Sequence, residues 1–525
     1  MVSERSVAHA TSTSAMKPLA RWCGSDRFSL PTGPTTHIRS QTVLILLASA
    51  ALLGPCFWQP FIHGGDLPSH LYNAWLANLI KQGHAPGLWI ARQWTNVAFD
   101  MALGWLVGTF GAGWAERIAV PAAILVFFWG AFALVRTVTG QRPWLTAPCL
   151  AMLAYGFVFQ MGLFNFYVSA GLALFLLAIV WGGTLRDRIV AFPVLLLAWL
   201  AHPLPVLWLF AAATYVCVGR KLSPRHQALL FLASLGAIFL LRHFLLGHFV
   251  THWSSDQLLF FTGADQVVVF GLQYWLITLM ILLLWGTALF ESRRRAQIAW
   301  GLPSQLFLIN GAGIFLLPNF IYLYGHAAAA ASQIPERMSL FSGVLACTLV
   351  EDAKPKKWLA TGFALVAALY FCFLYADAHA ITRVENKIDS LVSQLPPMQR
   401  ILAFPELYYG HGSKIEDFVG QFPLVWRVLL LPRYRVDLIH IADRVCIGRC
   451  FDFGNFEPST RQFRIRALPG NAIVVWDDVD LRAMAKGTYV VKQSDFPIFQ
   501  IYYCSPPAID LCIRPLNPGE VNGKR

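Results

Sequence analysis

Long apolar runs separated by short polar links make up the chain from Gln41 to Ala376. A membrane-spanning helix needs about 20 mostly apolar residues, and runs of about this size recur along the whole stretch. They predict about 11 spans, at residues 41–60, 115–136, 143–160, 163–183, 188–201, 203–219, 227–246, 266–290, 298–322, 337–351 and 358–376. We therefore expect a polytopic α-helical membrane protein.

The two ends of the chain follow other patterns. Residues 1–40 are polar and rich in Ser and Thr, which predicts a disordered tail. The first apolar run follows this tail and shows no clear small-residue cleavage site, so we interpret it as a signal anchor. Over residues 377–525, charged residues, prolines and alternating runs such as NAIVVW and GTYVVK predict a soluble α/β domain.

Composition agrees with a membrane protein. Hydrophobic residues make up 56% of the chain and charged residues 13%, whereas a soluble domain has about 25% charged residues. The net charge of +13 raises the question of nucleic acid. The Lys and Arg residues concentrate in alternate short loops, as the positive-inside rule requires, so we interpret the charge as topological.

The loop charges predict an orientation. With a cytoplasmic N-terminus, eleven crossings put inside the residues Arg136, Arg142, Arg186, Arg188, Arg220, Lys221, Arg225, Arg293, Arg294, Arg295, Lys354, Lys356 and Lys357. This count requires that 98–113 is an outer interfacial helix and that 188–219 is two short spans broken at His202. Residues 61–114 are then the first extracytoplasmic loop, and 377–525 lies outside a bacterial inner (plasma) membrane.

Four of the ten cysteines form two close pairs after residue 376, Cys446 with Cys450 and Cys504 with Cys512. An oxidising compartment favours local disulfides at both pairs. A zinc site built from all four is the alternative, although CxxxC and Cx7C differ from the common zinc-binding spacings.

The candidate chemistry begins directly after the first span, at Asp66 and His70. Two glycines precede Asp66 and allow a turn, and Pro68 suits the first turn of a helix, which places Asp66 at its N-cap and close to His70. One interpretation is a capping Asp and an interfacial His. The other is a carboxylate that acts as a general base, with the imidazole orienting it or sharing its proton.

Further polar residues are predicted on the same side of the membrane. They are Asp100, Asn165, His202, Arg242, His243, Asp256, Asp265, Glu336 and Arg337. Ionisable groups at spans are functional candidates, although snorkelling or a hydrogen bond between two helices explains each one alone. The prolines beside His202 favour a structural role. Together the set predicts an outer cavity for an anionic headgroup, with Arg337 or Arg242 on a phosphate.

This pattern resembles the GT-C superfamily of polyprenyl-phosphate-dependent membrane glycosyltransferases. Residues 66–74, DLPSHLYNA, are similar to the acidic-Pro-x-His segment of bacterial protein mannosyltransferases and aminoarabinose transferases. The GLFNF stretch at 162–166 resembles uncharacterised bacterial relatives of that group. The likeness covers roughly residues 40–350, with interfacial helices at about 68–82 and 98–113.

The resemblance implies an inverting glycosyltransferase in which Asp66 deprotonates a lipid, glycan or protein acceptor. The acceptor oxygen attacks the anomeric carbon of a polyprenyl-phosphate sugar, and Arg337, or else Arg242, stabilises the phosphate. The sequence has no second acidic residue two positions from Asp66 and no WWDYG segment. We therefore expect no obligatory cofactor, with a divalent metal held by Asp256 or Asp265 as the open alternative.

Two other functions stay open. One is a transporter or flippase for a lipid-linked or anionic solute, and the other is a non-catalytic subunit for envelope-polysaccharide assembly. A transporter needs polar residues near the membrane midplane. Leu, Ala, Phe and Val occupy the middle of most predicted spans, which favours the enzyme.

Overall fold

The computed structural model describes residues 35–84, 88–90, 94–292, 298–322, 331, 333–353, 356–403, 443–452, 463–465, 498–503 and 511–516. The chain divides into two units. The first, residues 1–48, contributes the beginning of helix α1. The second runs from Ser49 to Arg525 and contains every contact discussed below.

The chain is mostly helical. The described helices are α1 (Thr35–Leu53), α2 (Leu67–Lys81), α3 (Ala98–Phe110), α4 (Ala112–Thr139), α5 (Ala147–Ala154), α6 (Phe157–Gln160), α7 (Phe164–Gly182), α8 (Leu185–Val190), α9 (Phe192–Ala201), α10 (Pro203–Gly219), α11 (Pro224–His248), α12 (Gln273–Glu291), α13 (Leu302–Leu316), α14 (Ile334–Asp352) and α15 (Lys357–Val392). Each of the predicted apolar runs overlaps at least one of them. Five in the described part of the chain, α4, α7, α11, α12 and α15, are long and apolar enough to cross a membrane. The count of eleven crossings stays a prediction.

The two predicted interfacial segments are both helical. Helix α2 coincides with the predicted 68–82 within a residue at each end, and α3 ends at Phe110, three residues before the predicted limit. Gly111 ends α3 because its φ of +82° is a left-handed conformation that glycine adopts easily. Helix α4 then begins at Ala112 in a new direction.

The predicted break at His202 also separates two helices. His202 has extended backbone dihedrals between α9 and α10, and its Nδ1 accepts a hydrogen bond from the backbone N–H of Leu204, 3.1 Å away. Pro203 at the start of α10 lacks an N–H, which only the first turn of a helix tolerates without loss. His202 therefore caps α10, in line with a structural role.

Helices α4 and α7 pack closely at the centre of the second unit. A Cβ on Gly130 of α4 would lie 2.1 Å from the carbonyl oxygen of Gly171 of α7, so only glycine permits this approach. Phe127 and Tyr167 stack beside the crossing, with ring centroids 4.8 Å apart. Helices in a membrane often associate through small residues that allow their backbones to approach closely, because burying apolar side chains against each other yields no hydrophobic free energy there.

The described strands are short. Strand β1 (Leu88–Ile90) pairs antiparallel with β6 (Phe463–Ile465), and β2 (Val250–His252) pairs antiparallel with β3 (Phe320–Tyr322). A four-stranded sheet has the order β5 (Cys450–Asp452), β4 (Gln399–Ala403), β7 (Ile498–Tyr503) and β8 (Leu511–Leu516). Strand β4 is parallel to both neighbours, and β8 is antiparallel to β7. The NAIVVW and GTYVVK runs lie outside the described residues.

Helix α15 continues through the predicted boundary at residue 376. It is 36 residues long and ends at Val392. Its second half buries a stripe that comprises Asp377, Ile381, Glu385, Ile388 and Val392. This spacing repeats every three to four residues, so the segment is an amphipathic helix that packs by one face. A separate domain over 377–525 remains a prediction.

A buried ion-pair network joins four distant parts of the chain. Nη1 of Arg444 lies 2.8 Å and 2.9 Å from the two carboxylate oxygens of Glu116, and its Nε lies 3.2 Å from Glu385. Arg444 also donates to the carbonyl oxygen of Ile62 at 2.7 Å. Burial opposes the charge of the guanidinium, but the two carboxylates outweigh this effect and raise the pKa of Arg444. The network ties the loop after α1 to α4, α15 and residues 443–444.

We predict that Arg444→Met destabilises the protein strongly, because two buried carboxylates lose their cation. Removing one partner of a buried ion pair costs about 3–5 kcal/mol. The measurement is the unfolding free energy of the full chain in detergent micelles. Arg449→Met is the matched control, since its ion pair with Asp389 is about half exposed and such pairs contribute about 1 kcal/mol or less. Equal losses in both variants would contradict the structural role of the network.

Candidate functional site

The loop that carries Asp66 rests on the turn between α6 and α7. The backbone N–H groups of Gly65 and Asp66 donate to the carbonyl oxygens of Gln160 and Met161, at 2.7 Å and 3.1 Å. Gly162 has a φ of +75°, and a Cβ at this position would lie 2.3 Å from the nitrogen of Asp66. The GLFNF stretch therefore supports the Asp66 loop directly, through a contact that only glycine allows.

Asp66 occupies the N-cap position of α2, but its side chain makes no capping hydrogen bond. The side chain is partly exposed, and it interacts electrostatically with Arg337. The N-cap position was predicted correctly, but the interpretation of the carboxylate as a capping group is wrong. Asp66 instead belongs to a pair of opposite charges between α2 and α14.

Arg337 lies in the first turn of α14. Asp66 and Glu336 are the carboxylates that interact with its charge, and its Cζ lies 5.8 Å from the centroid of the Phe166 ring. Its Nε is buried and has no hydrogen-bond partner among the described residues. Glu336 accepts a hydrogen bond from the amide of Asn319 at 3.2 Å. The guanidinium therefore retains a donor for an additional anion.

A second group of predicted residues also lies together. Nδ1 of His70 is 2.5 Å from Oδ1 of Asp100, and Nδ2 of Asn165 donates to Oδ2 of Asp100 at 2.6 Å. These three side chains come from α2, α3 and α7, and all are buried. Phe166, the next residue of α7, contacts both Arg337 and the ring of His202. The first turn of α7 thus touches both groups.

Asp265 is buried beside the same helix as Arg337. Its Oδ2 accepts hydrogen bonds from Ser339 at 2.7 Å and from Gln266 at 3.3 Å, while its Oδ1 has no partner in the described part of the chain. Burial raises the pKa of Asp265 to about 8, although the hydrogen bonds from Ser339 and Gln266 oppose this shift. A largely protonated carboxyl at neutral pH is a weak ligand for a cation.

An apolar cavity of about 330 Å³ lies among α10, α11, α13 and α14. Ile334, Pro335 and Met338 of α14 line it, so the lining residues flank Arg337 in sequence. Trp208 and Asn310 also line the cavity, and the indole N–H of Trp208 donates to the amide oxygen of Asn310 at 3.0 Å.

Three predicted residues are not brought to Asp66. Arg242 donates to the carbonyl oxygen of Leu316 at 2.6 Å, at the C-terminus of α13, and its Cζ lies 5.9 Å from the Trp253 ring. His243 and Asp256 are exposed. A guanidinium at a helix C-terminus satisfies carbonyl groups that have no partner within the helix. The structure therefore gives Arg242 a helix-capping contact and favours Arg337 at the site.

The metal and cysteine predictions have separate outcomes. No group of three or more His, Cys, Asp or Glu side chains that could hold a metal occurs among the residues that the structure describes. Asp256 and Asp265 differ in burial and share no partner there.

Cys446 and Cys450 form a disulfide with an S–S distance of 2.09 Å. Cys504, the predicted partner of Cys512, lies outside the described residues.

Sequence reasoning did not find the buried group around His63. Its Nε2 lies 3.1 Å from the Thr382 hydroxyl, and its Nδ1 lies 3.7 Å from Glu385. Burial, and then the charge of Arg444, lower the pKa of His63 to about 3, so the ring is neutral at pH 7. The available signal was Glu116 at the start of an apolar run, because an ionisable residue in a span requires a partner.

No protein-family model, curated protein or solved structure matches this chain. The function therefore has to be inferred from the residues of the site and their geometry.

Titration of Asp265 gives a testable pH dependence. Its folded-state pKa of about 8 exceeds the ordinary value of 3.8, so between these values the folded state binds more protons than the unfolded state. The stability from the protonated carboxyl is present below about pH 4 and is lost as the pH rises toward 8. We expect the melting temperature of Asp265→Asn, relative to wild type, to increase from pH 5 to pH 8. Asp256→Asn is the control and should show no such trend; a pH-independent difference for Asp265→Asn would contradict the prediction.

Proposed function

We propose that the protein is an inverting membrane glycosyltransferase that moves a sugar from a polyprenyl-phosphate donor to an extracytoplasmic acceptor. One observation carries the proposal. A partly exposed carboxylate, Asp66, interacts electrostatically with the guanidinium of Arg337, which keeps a buried N–H without a partner among the described residues. A base next to an anion-binding group is the arrangement that transfer from a phosphate ester requires.

The chemical step uses both groups. Asp66 accepts the proton of the acceptor hydroxyl, and the acceptor oxygen forms a bond to the anomeric carbon from the face opposite the phosphate. The bond between the anomeric carbon and the phosphate oxygen breaks, and the polyprenyl phosphate leaves with the electron pair. Arg337 stabilises the negative charge that develops on the phosphate, since charge-assisted hydrogen bonds to phosphate are among the strongest in proteins.

The apolar cavity supports a lipid-linked donor. Its lining residues Ile334, Pro335 and Met338 share the first turns of α14 with Arg337. An isoprenoid chain in this cavity buries apolar surface, and the phosphate at its end is then close to the guanidinium. A water-soluble nucleotide sugar has no comparable use for an apolar cavity between helices.

A transport function has one observation in its favour. The cavity lies among four helices, and a polar cluster of Asn310, Trp208 and Ser342 borders it. In proteoliposomes, a transporter would move a labelled polyprenyl-phosphate sugar across the bilayer without transferring its sugar. An envelope-polysaccharide assembly subunit would neither move nor transfer it. The enzyme transfers the sugar.

We predict that Asp66→Asn lowers sugar transfer by about 10²–10⁴-fold, the usual contribution of a general base. The measurement is transfer of radiolabelled sugar from polyprenyl phosphate by membranes containing the full chain. Binding of the donor should change little, because Asn is close to Asp in size and the guanidinium of Arg337 remains.

Asp256→Asn is the matched control, since this acid is exposed and is not among the carboxylates that interact with Arg337. It should transfer at the wild-type rate. Undiminished transfer by Asp66→Asn would refute the assignment of the base, and absence of transfer by the wild type with every donor tested would refute the enzymatic function.

The proposal also places the N-terminus in the cytoplasm of a bacterium and the C-terminal end outside its plasma membrane. Helix α15 offers a test because its 36 residues extend about 54 Å at 1.5 Å per residue, which exceeds the bilayer core of about 30 Å. We predict that Lys387→Cys reacts with a membrane-impermeant maleimide in intact cells. Lys356→Cys should react only after lysis.

Both positions are exposed. The experiment uses a background in which the exposed Cys372 is replaced by Ser. Labelling of both positions before lysis would overturn the orientation.

A further inference from the structure

We propose that Asp100 and Asn165 are positioning residues that hold the proton of His70 on Nδ1. In this form Nε2 of His70 is a hydrogen-bond acceptor one helical turn from Asp66. The inference about the tautomer stands on geometry alone, and its role in sugar transfer rests on the proposed function.

The orientation of the Asn165 amide begins the chain of contacts. The backbone N–H of Phe99 donates to Oδ1 of Asn165 at 2.9 Å, which requires the carbonyl end of the amide to face Phe99. Nδ2 then donates one hydrogen to Asp100 at 2.6 Å and the other to the carbonyl oxygen of Asn96 at 3.1 Å. Both hydrogens and the oxygen of the amide are therefore in use, and the amide has one orientation.

Asp100 transmits this orientation to His70. An ionised carboxylate has only acceptors; its Oδ2 accepts from Asn165, and its Oδ1 faces Nδ1 of His70 at 2.5 Å. The contact is a hydrogen bond if Nδ1 carries the proton. A second nitrogen without a proton is the acceptor form that general base catalysis uses, as in catalytic triads.

Burial and ring packing leave the three side chains little freedom. His70, Asp100 and Asn165 are 7%, 2% and 3% exposed. The Phe99 ring meets His70 edge-on at 5.8 Å and stacks on Phe164 at 4.7 Å. The polar atoms of Asp100 and Asn165 are all used in contacts within the protein. These two residues therefore act through His70 and do not bind the donor.

The arrangement gives the transferred proton a destination. Asp66 takes it from the acceptor hydroxyl and passes it to Nε2 of His70, which restores the Asp66 carboxylate. The resulting imidazolium keeps its Nδ1–H on Asp100, and the carboxylate of Asp100 stabilises the positive charge. His70 then releases the proton to water after the product leaves.

The test exploits the fixed amide of Asn165. In Asp100→Asn, the new amide must present its oxygen to Nδ2 of Asn165, so its NH2 group faces His70. Nδ1 of His70 must then accept, and the proton moves to Nε2. We expect the ¹⁵N spectrum of histidine-labelled protein in bilayers to show the Nδ1–H tautomer in wild type and the Nε2–H tautomer in Asp100→Asn. The signal of His70 is assigned by its loss in His70→Gln.

The kcat of sugar transfer by Asp100→Asn should fall by about 10²–10⁴-fold, with little change in KM.

The double variant Asp100→Asn/Asn165→Asp provides the rescue. Asp at 165 accepts from the Phe99 N–H and from the NH2 group of Asn at 100, whose oxygen then faces His70. The Nδ1–H tautomer should return, at an unchanged net charge, and part of kcat with it. Recovery is partial because the carbonyl oxygen of Asn96 loses its donor.

The outcomes separate the two proposals. An Nε2–H tautomer in wild type overturns the positioning role whatever the activity. If wild type transfers sugar but Asp100→Asn is equally fast, or the double variant is no better than Asp100→Asn, the positioning role is wrong and the proposed function stands. If wild type shows Nδ1–H but transfers no sugar, the proposed function fails and the positioning of His70 stands.

Discussion

A charged or polar side chain among apolar helices is stable only where another polar group meets it, and this constraint organises the second unit of the protein. Arg444 is held by Glu116 and Glu385 and connects the two halves of the chain. His70 is held by Asp100 in the same way. Each buried charge thereby fixes the relative position of two or three elements, and the loop that carries Asp66 lies among these contacts.

Few residues at the start of α7 hold the candidate site together. Three residues within five positions contact different groups: Gly162, just before α7, admits the Asp66 loop, Asn165 holds Asp100 and Phe166 lies against Arg337. A short sequence motif therefore supports Asp66, the neighbouring Asp100 and His70, and Arg337, the groups on which the proposed function rests. These contacts account for the spacing of the polar residues in an otherwise apolar sequence.

Much of the fold followed from the sequence because local rules determine it. Apolar runs of the right length predicted the helices, the interfacial segments were predicted at 68–82 and 98–113, and the prolines beside His202 predicted the break between α9 and α10. Asp100 and Asn165 were predicted only as members of a larger set of outer polar residues, and their contact with each other and with His70 appears only in the structure.

The remainder depends on partners that are distant in sequence. Glu116 was not singled out in the sequence, and nothing local indicates that its cation is Arg444, in a stretch expected to be a separate domain. Arg242 and Arg337 are alike in sequence, both near the end of an apolar run. Only the three-dimensional structure shows that Arg242 contacts a helix terminus and that Arg337 interacts electrostatically with Asp66. Composition also did not indicate that α15 continues past residue 376. Beyond this residue the apolar side chains of the helix lie along one face only.

The separation between Glu116 and Arg444 has a consequence for the synthesis of the protein. The two residues are 328 positions apart, and a ribosome that adds about 5–20 residues per second needs roughly 16–66 s to cover that distance. During this interval Glu116 lacks the guanidinium of Arg444, and the backbone N–H of Ile62 leaves most of its carboxylate to be hydrated or protonated. The helices that are synthesised first therefore pack loosely during this interval. The buried ion pairs, and with them the final packing of the helices, form only after Arg444, in the last quarter of the chain, has emerged.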